Sequence, residues 1–403
     1  MSSEITSCLA GRKFISGNDA VAFGVRLCRP EVIAAYPITP QTTVVERLSE
    51  FIAAGDMHCQ YLNVESEHSA MAACLGAALL GSRTFTASSS QGLLYMCEML
   101  HYVSGSRFPV VMMNANRTVA APWNIFGDHR DSLAMRDAGW MQVYVENAQE
   151  ALDMVIQAYR IAEDSRVLTP AMICLDGYVL THTYEVVNVP SQIEVDNFLP
   201  AYVPSANVLS LASPKSCCIS VSPEWQTEFR FQQYEAMNAA KQVIAEVDKE
   251  FGARFGRYYG GLLEEYQCDD AEYVLIGMGT VTGTARLVVD KLRAAGIKAG
   301  LAKVRFFRPF PTEQIAGLAK RAKGFGVIDR DVSFGYAGAL YTEVRGALGD
   351  IQEKRMPVLN FIAGLSGRDI TKENIELMYY KIKRAVQGGA EQEIQFIGLR
   401  WEN

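Results

Sequence analysis

The feature that most constrains this chain is a rhythm. Short apolar runs alternate with longer stretches in which apolar side chains recur every three or four positions. Val32-Ile33-Ala34-Ala35-Tyr36, Thr84 to Ala87, Pro109 to Asn114, Met141 to Val145 and Pro170 to Leu175 are the short runs. They are too brief for helices and too uniformly apolar for half-exposed strands, so they read as strands buried on both faces. Between them lie helical patterns. Val44, Val45, Leu48, Phe51 and Ile52 form one stripe, and Leu93, Met96, Leu100 and Val103 another. Residues 67–80 carry Ala70, Ala73, Cys74 and Ala77 on one face, small enough for close packing, and a further helix runs from Ala148 to Glu163. Strand–helix alternation predicts an α/β fold, a doubly wound and mostly parallel sheet covered on both faces.

The rhythm lapses from about Tyr184 to Ser222, where Pro190, Pro200, Pro204 and Pro214 punctuate an irregular connector. A long helical run follows, roughly Glu228 to Phe255. A second α/β unit begins near Ala271, with strands at Tyr273–Ile276, Gly300–Arg305, Phe325–Ile328 and Val358–Phe361. At 403 residues the chain exceeds one ordinary core. The expected division is a first domain over 14–235 containing the connector 184–222, a second over 260–362, and a tail over 363–403.

Composition excludes several function classes. The net charge of −7 and the lack of a basic run argue against nucleic acid and anionic membrane as partners. No apolar stretch reaches membrane-span length, and the segment Met1 to Lys13, with Glu4, lacks a signal-peptide core, so a cytoplasmic protein is expected. Nine scattered cysteines without a C-x-x-C argue against both a disulfide framework and an iron–sulfur cluster in this chain. Most should be small core residues, with Cys217-Cys218 in a loop. The five histidines show no ligand spacing, and no metal site is expected. Gly277-x-Gly279 lacks the third glycine of a dinucleotide fingerprint, since position 282 is threonine, and reads as a tight turn. Charged residues make up 21%, a little under the usual quarter, as expected where surface is buried against partners.

Three clusters remain, each just after an expected strand, where open α/β sheets bind ligands. They are Tyr36-Pro37-Ile38-Thr39-Pro40, Val64-Glu65-Ser66-Glu67-His68-Ser69-Ala70 and Asn116-Arg117-Thr118. A carboxylate, a hydroxyl and a guanidinium on one edge suit an anionic substrate bearing a carbonyl, since arginine can grip a carboxylate with two N–H groups. The same residues also suit a purely structural role. Glu65 and Glu67 would then favour a helix start through the dipole, with Arg117 as their ion-pair partner. Residue chemistry leaves the two readings even.

These clusters, together with Ser90-Gln91-Gly92-Leu93, Asp131-Ser132-Leu133-Ala134-Met135-Arg136-Asp137, Phe307-Arg308-Pro309-Phe310-Pro311, Asp329-Arg330 with Ser333-Phe334-Gly335, and Gly364-Leu365-Ser366-Gly367-Arg368-Asp369, occur in one order along about residues 14 to 372. In that order they resemble the α subunit of pyruvate and related 2-oxoacid:ferredoxin oxidoreductases. The resemblance implies that the first domain binds the pyrimidine half of thiamine diphosphate and that the second is like a transketolase C-terminal domain. It implies that Glu67 hydrogen-bonds the aminopyrimidine and so assists loss of the thiazolium C2 proton. It further implies that Thr39 contacts the substrate, that Arg117 holds its carboxylate, and that Pro40, Ser90 and Gln91 line the cofactor.

The resemblance also assigns parts to other chains. Thiamine enzymes hold Mg²⁺ and diphosphate on a G-D-G motif; here Gly127-Asp128 continues with His129. The diphosphate half is therefore expected from a β subunit, and 4Fe–4S clusters from γ and ferredoxin-like δ subunits that pass electrons to ferredoxin. Coenzyme A is the expected co-substrate and pyruvate the expected 2-oxoacid. If Trp123 to Phe126 wall the side-chain pocket, an aromatic 2-oxoacid such as phenylglyoxylate competes. Two further functions compete with this one: a non-catalytic scaffold that docks redox subunits, and a transketolase-like carbon-transfer enzyme.

Overall fold

A computed structural model of the chain describes residues 9–204, 208–212, 214–349 and 356–400. In chain order the first strands are β1 (Gly11–Ser16), β2 (Val32–Ala35), β3 (Gln60–Asn63), β4 (Thr84–Ser88), β5 (Val111–Asn116), β6 (Met141–Tyr144), β7 (Ala171–Asp176) and β8 (Tyr184–Val189). Then come β9 (Leu263–Tyr266), β10 (Tyr273–Gly277), β11 (Ala299–Val304), β12 (Phe306–Arg308), β13 (Gly324–Asp329), β14 (Val358–Ile362) and β15 (Ile394–Phe396).

They form two large sheets. The first has the order β12-β6-β7-β5-β4-β2-β3, and the second β15-β14-β13-β10-β11-β9. All neighbours pair in parallel except β12 on β6 and β9 on β11, which run antiparallel at the edges. The doubly wound α/β expectation describes both. Their central strands β4, β5, β7, β10, β11 and β13 are buried throughout, as the unbroken apolar runs required.

The helix least visible in the sequence lies at the centre. Helix α1 (Gly17–Cys28) is buried at every position and packs along α2 (Thr42–Ala53). Ser16 caps it, accepting from the Asp19 amide at 3.1 Å while the Asp19 carboxylate accepts back from the Ser16 amide. Helix α3 (Glu67–Leu79) begins at the Ser66 cap, and α4 (Ser90–Tyr95) follows β4 directly. Helix α5 (Ala148–Ala162) covers the other side of α1 and lies closely against Gly24, where a Cβ would meet the Leu152 carbonyl oxygen at 2.9 Å.

Two expectations need correction. The connector 184–222 is not irregular throughout. Tyr184–Val189 is β8, which pairs antiparallel with β1, and Gln192–Phe198 is a helix capped by Ser191. The prolines flank these pieces rather than interrupting them. Residues 363–403 do not form a tail. After the long helix α6 (Pro223–Phe255), Lys372–Val386 forms helix α7, and β15 pairs with β14. Thr371 caps α7, and Ile375, Met378, Tyr379 and Ile382 form its buried stripe against the second sheet. The segment 394–396 is too short an apolar run to announce a strand.

The two sheets are interlocked by the chain itself. β11 lies in the second sheet, yet β12, just beyond Arg305, closes the edge of the first. Helix α6 is buried only in its C-terminal half, while Trp225, Phe229, Phe231 and Tyr234 stand exposed. Cys28, Cys74, Cys174 and Cys268 are buried, and Cys59, Cys97, Cys217 and Cys218 half-buried; Cys8 lies outside the described residues. Among the described residues no helix is long and apolar enough to cross a membrane.

Candidate functional site

The order β5-β4-β2-β3 places four neighbouring parallel strands with their C-terminal ends on one edge. The segments that leave those ends carry Arg117, Ser90-Gln91, Thr39-Pro40 and Glu67. Residues far apart in sequence thus share one rim, the usual ligand edge of an open parallel sheet.

At this rim Arg117 is the organising cation. Its Nη1 donates to the Thr39 carbonyl oxygen at 2.7 Å and its Nη2 to Gln91 Oε1 at 2.9 Å. The ring of Trp123 lies 5.4 Å from the guanidinium. Burial pulls the guanidinium pKa down, partly offset by Asp131, Tyr178 and Glu67. The single O–H of Ser90 lies within reach of both Gln91 Oε1 and the Thr118 carbonyl, the latter at 2.6 Å. Thr39 is exposed, and Pro40 is buried with its carbonyl held by Asn18 Nδ2 at 2.7 Å.

The helix-start reading holds in part, since Glu67 stands in the first turn of α3, where the dipole favours an anion. Ser66, not a glutamate, caps α3 by accepting from the Ser69 amide at 3.2 Å. Glu65 is exposed and accepts from the Ser69 hydroxyl at 2.5 Å. Arg117 directs its hydrogen bonds to Thr39 and Gln91, not to either glutamate. Glu67 is 8% exposed, yet among the described residues its carboxylate accepts no hydrogen bond. With no protein hydrogen-bond donor engaging it, this carboxylate is a candidate to meet a ligand donor.

The surroundings of Glu67 are shaped for close approach. A Cβ on Gly92 would come within 2.6 Å of Glu67 Oε1 and 2.7 Å of Ser88 Oγ, so a larger residue there would push these side chains aside. The hydroxyls of Ser88 and Ser89 are buried without partners. An unengaged carboxylate and an unpaired hydroxyl thus meet beside Gly92. Among the described residues no group of three or more His, Cys, Asp or Glu side chains is placed to hold a metal.

Sequence reasoning missed the residues beneath the rim. Asp131 Oδ2 accepts from the Ser90 amide at 3.0 Å and from the Arg117 amide at 3.1 Å, tying two site segments to one carboxylate. Asn18 ties Pro40 to Thr43, with 2.7 Å to each acceptor. Asp131 opens the Asp131–Asp137 motif and was findable there; Asn18 sits in a helix with no such signal. Asp176, at the end of β7, ties the two sheets. It pairs with Arg330 at 2.5 Å and His129 at 2.8 Å, and accepts from the Thr280 amide at 2.8 Å. Burial pushes its carboxyl up, but Arg330 and His129 outweigh that and hold it far below the usual range. Gly279 lies against this carboxylate, where a Cβ would sit 2.8 Å from Oδ2, so the Gly277-x-Gly279 turn serves the domain contact. Cys217 and Cys218 line a separate cavity of about 600 Å³ with Tyr102, Arg107 and Phe229, remote from the residues above in its lining.

Comparison with known proteins gives the family. The family described as "Pyruvate flavodoxin/ferredoxin oxidoreductase, thiamine diP-bdg" matches residues 24–249, and "Pyruvate:ferredoxin oxidoreductase core domain II" matches 271–375. The pyruvate synthase subunit PorA of Methanothermobacter thermautotrophicus is 47% identical over 97% of this chain and 99% of its own length. The ketoisovalerate oxidoreductase subunit VorA of Pyrococcus abyssi is 45% identical over 96% and 98%. Among solved structures, a 2-oxoglutarate:ferredoxin oxidoreductase from Magnetococcus marinus superposes with a TM-score of 0.72 at 19% identity, covering 94% of this chain and 66% of that longer one. A split-gene transketolase superposes at 0.53 with 13% identity, covering 93% and 99%. These last two speak to the fold.

Proposed function

The chain belongs to the pyruvate flavodoxin/ferredoxin oxidoreductase family, as an α subunit of a 2-oxoacid:ferredoxin oxidoreductase acting within a complex, and from this we propose that its rim is the pyrimidine and substrate half of a thiamine-diphosphate site. The observation that carries the reading is Glu67, largely buried and without a protein hydrogen-bond partner beside Gly92. When bound, the cofactor supplies the electron sink for loss of CO₂ from a 2-oxoacid.

The chain's own residues do the rest. Glu67 offers its carboxylate to the aminopyrimidine and moves the proton there, with Gly92 leaving its oxygens room. Pro40, Ser90 and Gln91 shape the wall around it. Arg117 has five N–H donors, two of them engaged by Thr39 and Gln91. The others, with the Thr39 hydroxyl, are available to orient the 2-oxoacid carboxylate. The Trp123 ring over the guanidinium excludes water on that side and strengthens the charge contact.

The substrate in this reading is pyruvate. Names among the relatives span pyruvate and ketoisovalerate, so a branched aliphatic 2-oxoacid is the nearest competitor. Trp123 favours an aromatic substrate as the second reading. A β subunit supplies the diphosphate and Mg²⁺ site, γ and δ subunits the iron–sulfur clusters, and coenzyme A accepts the acyl group, in a cytoplasmic complex.

The deciding experiment is coenzyme A-dependent viologen reduction by the purified complex with pyruvate, 2-ketoisovalerate and phenylglyoxylate in parallel. The highest kcat/KM is expected for pyruvate. A preference for phenylglyoxylate overturns the substrate, and no turnover of any 2-oxoacid overturns the reading. In the same complex Glu67→Gln should slow C2 proton exchange of thiamine diphosphate by about 100-fold or more. An unchanged exchange rate removes Glu67 from its role.

A further inference from the structure

The substrate-side loop from Thr118 to Asp128 is tied to its own domain through Ser90, Arg130 and Tyr178. It is held from the other side by a turn of the second domain, Gly364–Gly367, which leaves the end of β14. Ser366 contributes three polar contacts. Its hydroxyl is 3.0 Å from Thr118 Oγ1, its carbonyl accepts from Asn124 Nδ2 at 3.1 Å, and its amide donates to Asp128 Oδ2 at 3.1 Å. The Gly367 amide donates to the Gly127 carbonyl at 2.8 Å, and Arg330 Nη2 reaches the same oxygen at 2.9 Å.

The backbone of this turn is special. Ser366 has φ of 54°, the left-handed region that side chains other than glycine rarely occupy. Gly367 has φ of 76°, and a Cβ there would come within 2.3 Å of the Phe126 Cβ. Phe126 in turn packs on Tyr178, ring centroids 5.0 Å apart, and its carbonyl accepts from the Thr118 amide at 3.0 Å. Between these pinned points the loop carries Trp123 over Arg117.

We propose that the Ser366 turn is a positioning element for substrate selection: the second domain sets where Trp123 stands above the Arg117 guanidinium, and so the room left for the 2-oxoacid side chain. This deepens the function proposed above and rests on it. The second domain then takes part in choosing the substrate. Ser366 and Gly367 touch neither substrate nor cofactor; they act through Asn124, Phe126 and Trp123.

The test uses the intact complex carrying Ser366→Val, Gly367→Ala or Ser366→Gly. Valine is strained at positive φ, alanine collides with Phe126, and glycine keeps the backbone while removing the hydroxyl. The readout is the ratio of kcat/KM for pyruvate to that for phenylglyoxylate. A shift of about 10-fold toward the larger substrate is expected for the first two variants, carried by KM, with a shift of about threefold for Ser366→Gly. The last variant serves if the others fail to assemble. Equal change, or none, in both substrates overturns the proposal, since a merely structural loss would lower both alike. Trp123 emission, isolated by subtracting a Trp123→Phe background, should change in the same variants. An unaltered emission overturns the positioning even where the wild-type complex turns over no 2-oxoacid, a result that would instead reject the parent function.

Discussion

Asp131 shows how much a single side chain can organise. Its carboxylate is fully buried and accepts from Ser90 N, Arg117 N, Asn114 Nδ2, Asn116 Nδ2 and Ser132 N, at 2.7 to 3.1 Å. Burial pushes the carboxyl up, and these donors pull it back only in part. Replacing it with asparagine turns an acceptor into a donor that faces donors. We expect Asp131→Asn to cost roughly 2–4 kcal/mol in denaturant unfolding and to raise the 2-oxoacid KM more than it lowers kcat, because Arg117 loses its anchor. A KM equal to wild type in a folded variant would separate Asp131 from the substrate cation. At this scale the sequence was half legible. Glu67, Arg117 and Thr39 stood out because charge and hydroxyl groups followed strand ends. The residues beneath them did not, because a buried acceptor looks like any other aspartate until its donors are in place.

Among the elements, the strands were plain and the central helix was not. β4, β5 and β7 carry unbroken apolar runs, which only a doubly covered sheet needs. Helix α1 is short and buried on every side, its polar Asn18, Asp19 and Arg26 included, and its two glycines read as breakers. The Ser16–Asp19 capping box was its one local mark. β8 and β15 escaped because their partners, β1 and β14, lie far off in sequence. The α1–α5 contact carries its own prediction. Gly24→Val should destabilise the protein by about 2–4 kcal/mol, since its side chain would enter the space of Leu152 and Val155. Gly76, with open space around its Cα, is the control: Gly76→Ala should leave the thermal midpoint unchanged or raised. Equal midpoints for both would contradict the tight packing assigned to α1.

For the whole molecule, the joint between the sheets is ionic. Glu150 pairs with Lys303 at 2.6 Å and Arg305 at 2.8 Å, and Lys303 also meets Glu146 at 2.9 Å, all largely buried. Burial pushes the Glu150 carboxyl up, but Lys303 and Arg305 outweigh it and hold it at about 2. A carboxyl depressed in the fold stabilises above its unfolded value, about 4.3, and loses that contribution as pH falls toward the folded value. Glu150→Gln should therefore cost roughly 3–5 kcal/mol at pH 7 by leaving two cations under-paired. The gap from wild type should close between about pH 4.5 and 2. A gap in urea midpoints that stays constant over this range would deny Glu150 its depressed titration. The central strands of both large sheets were readable from the sequence, but the seam between the sheets was not, because nothing local tells β12 from a continuation of β11. That small strand has a practical effect. A gene cut before residue 300 would leave Met141–Tyr144 as a bare margin with unsatisfied amides and carbonyls, inviting strands from other molecules. The two halves of this polypeptide therefore have to be made together, since the first borrows its selvedge from the second.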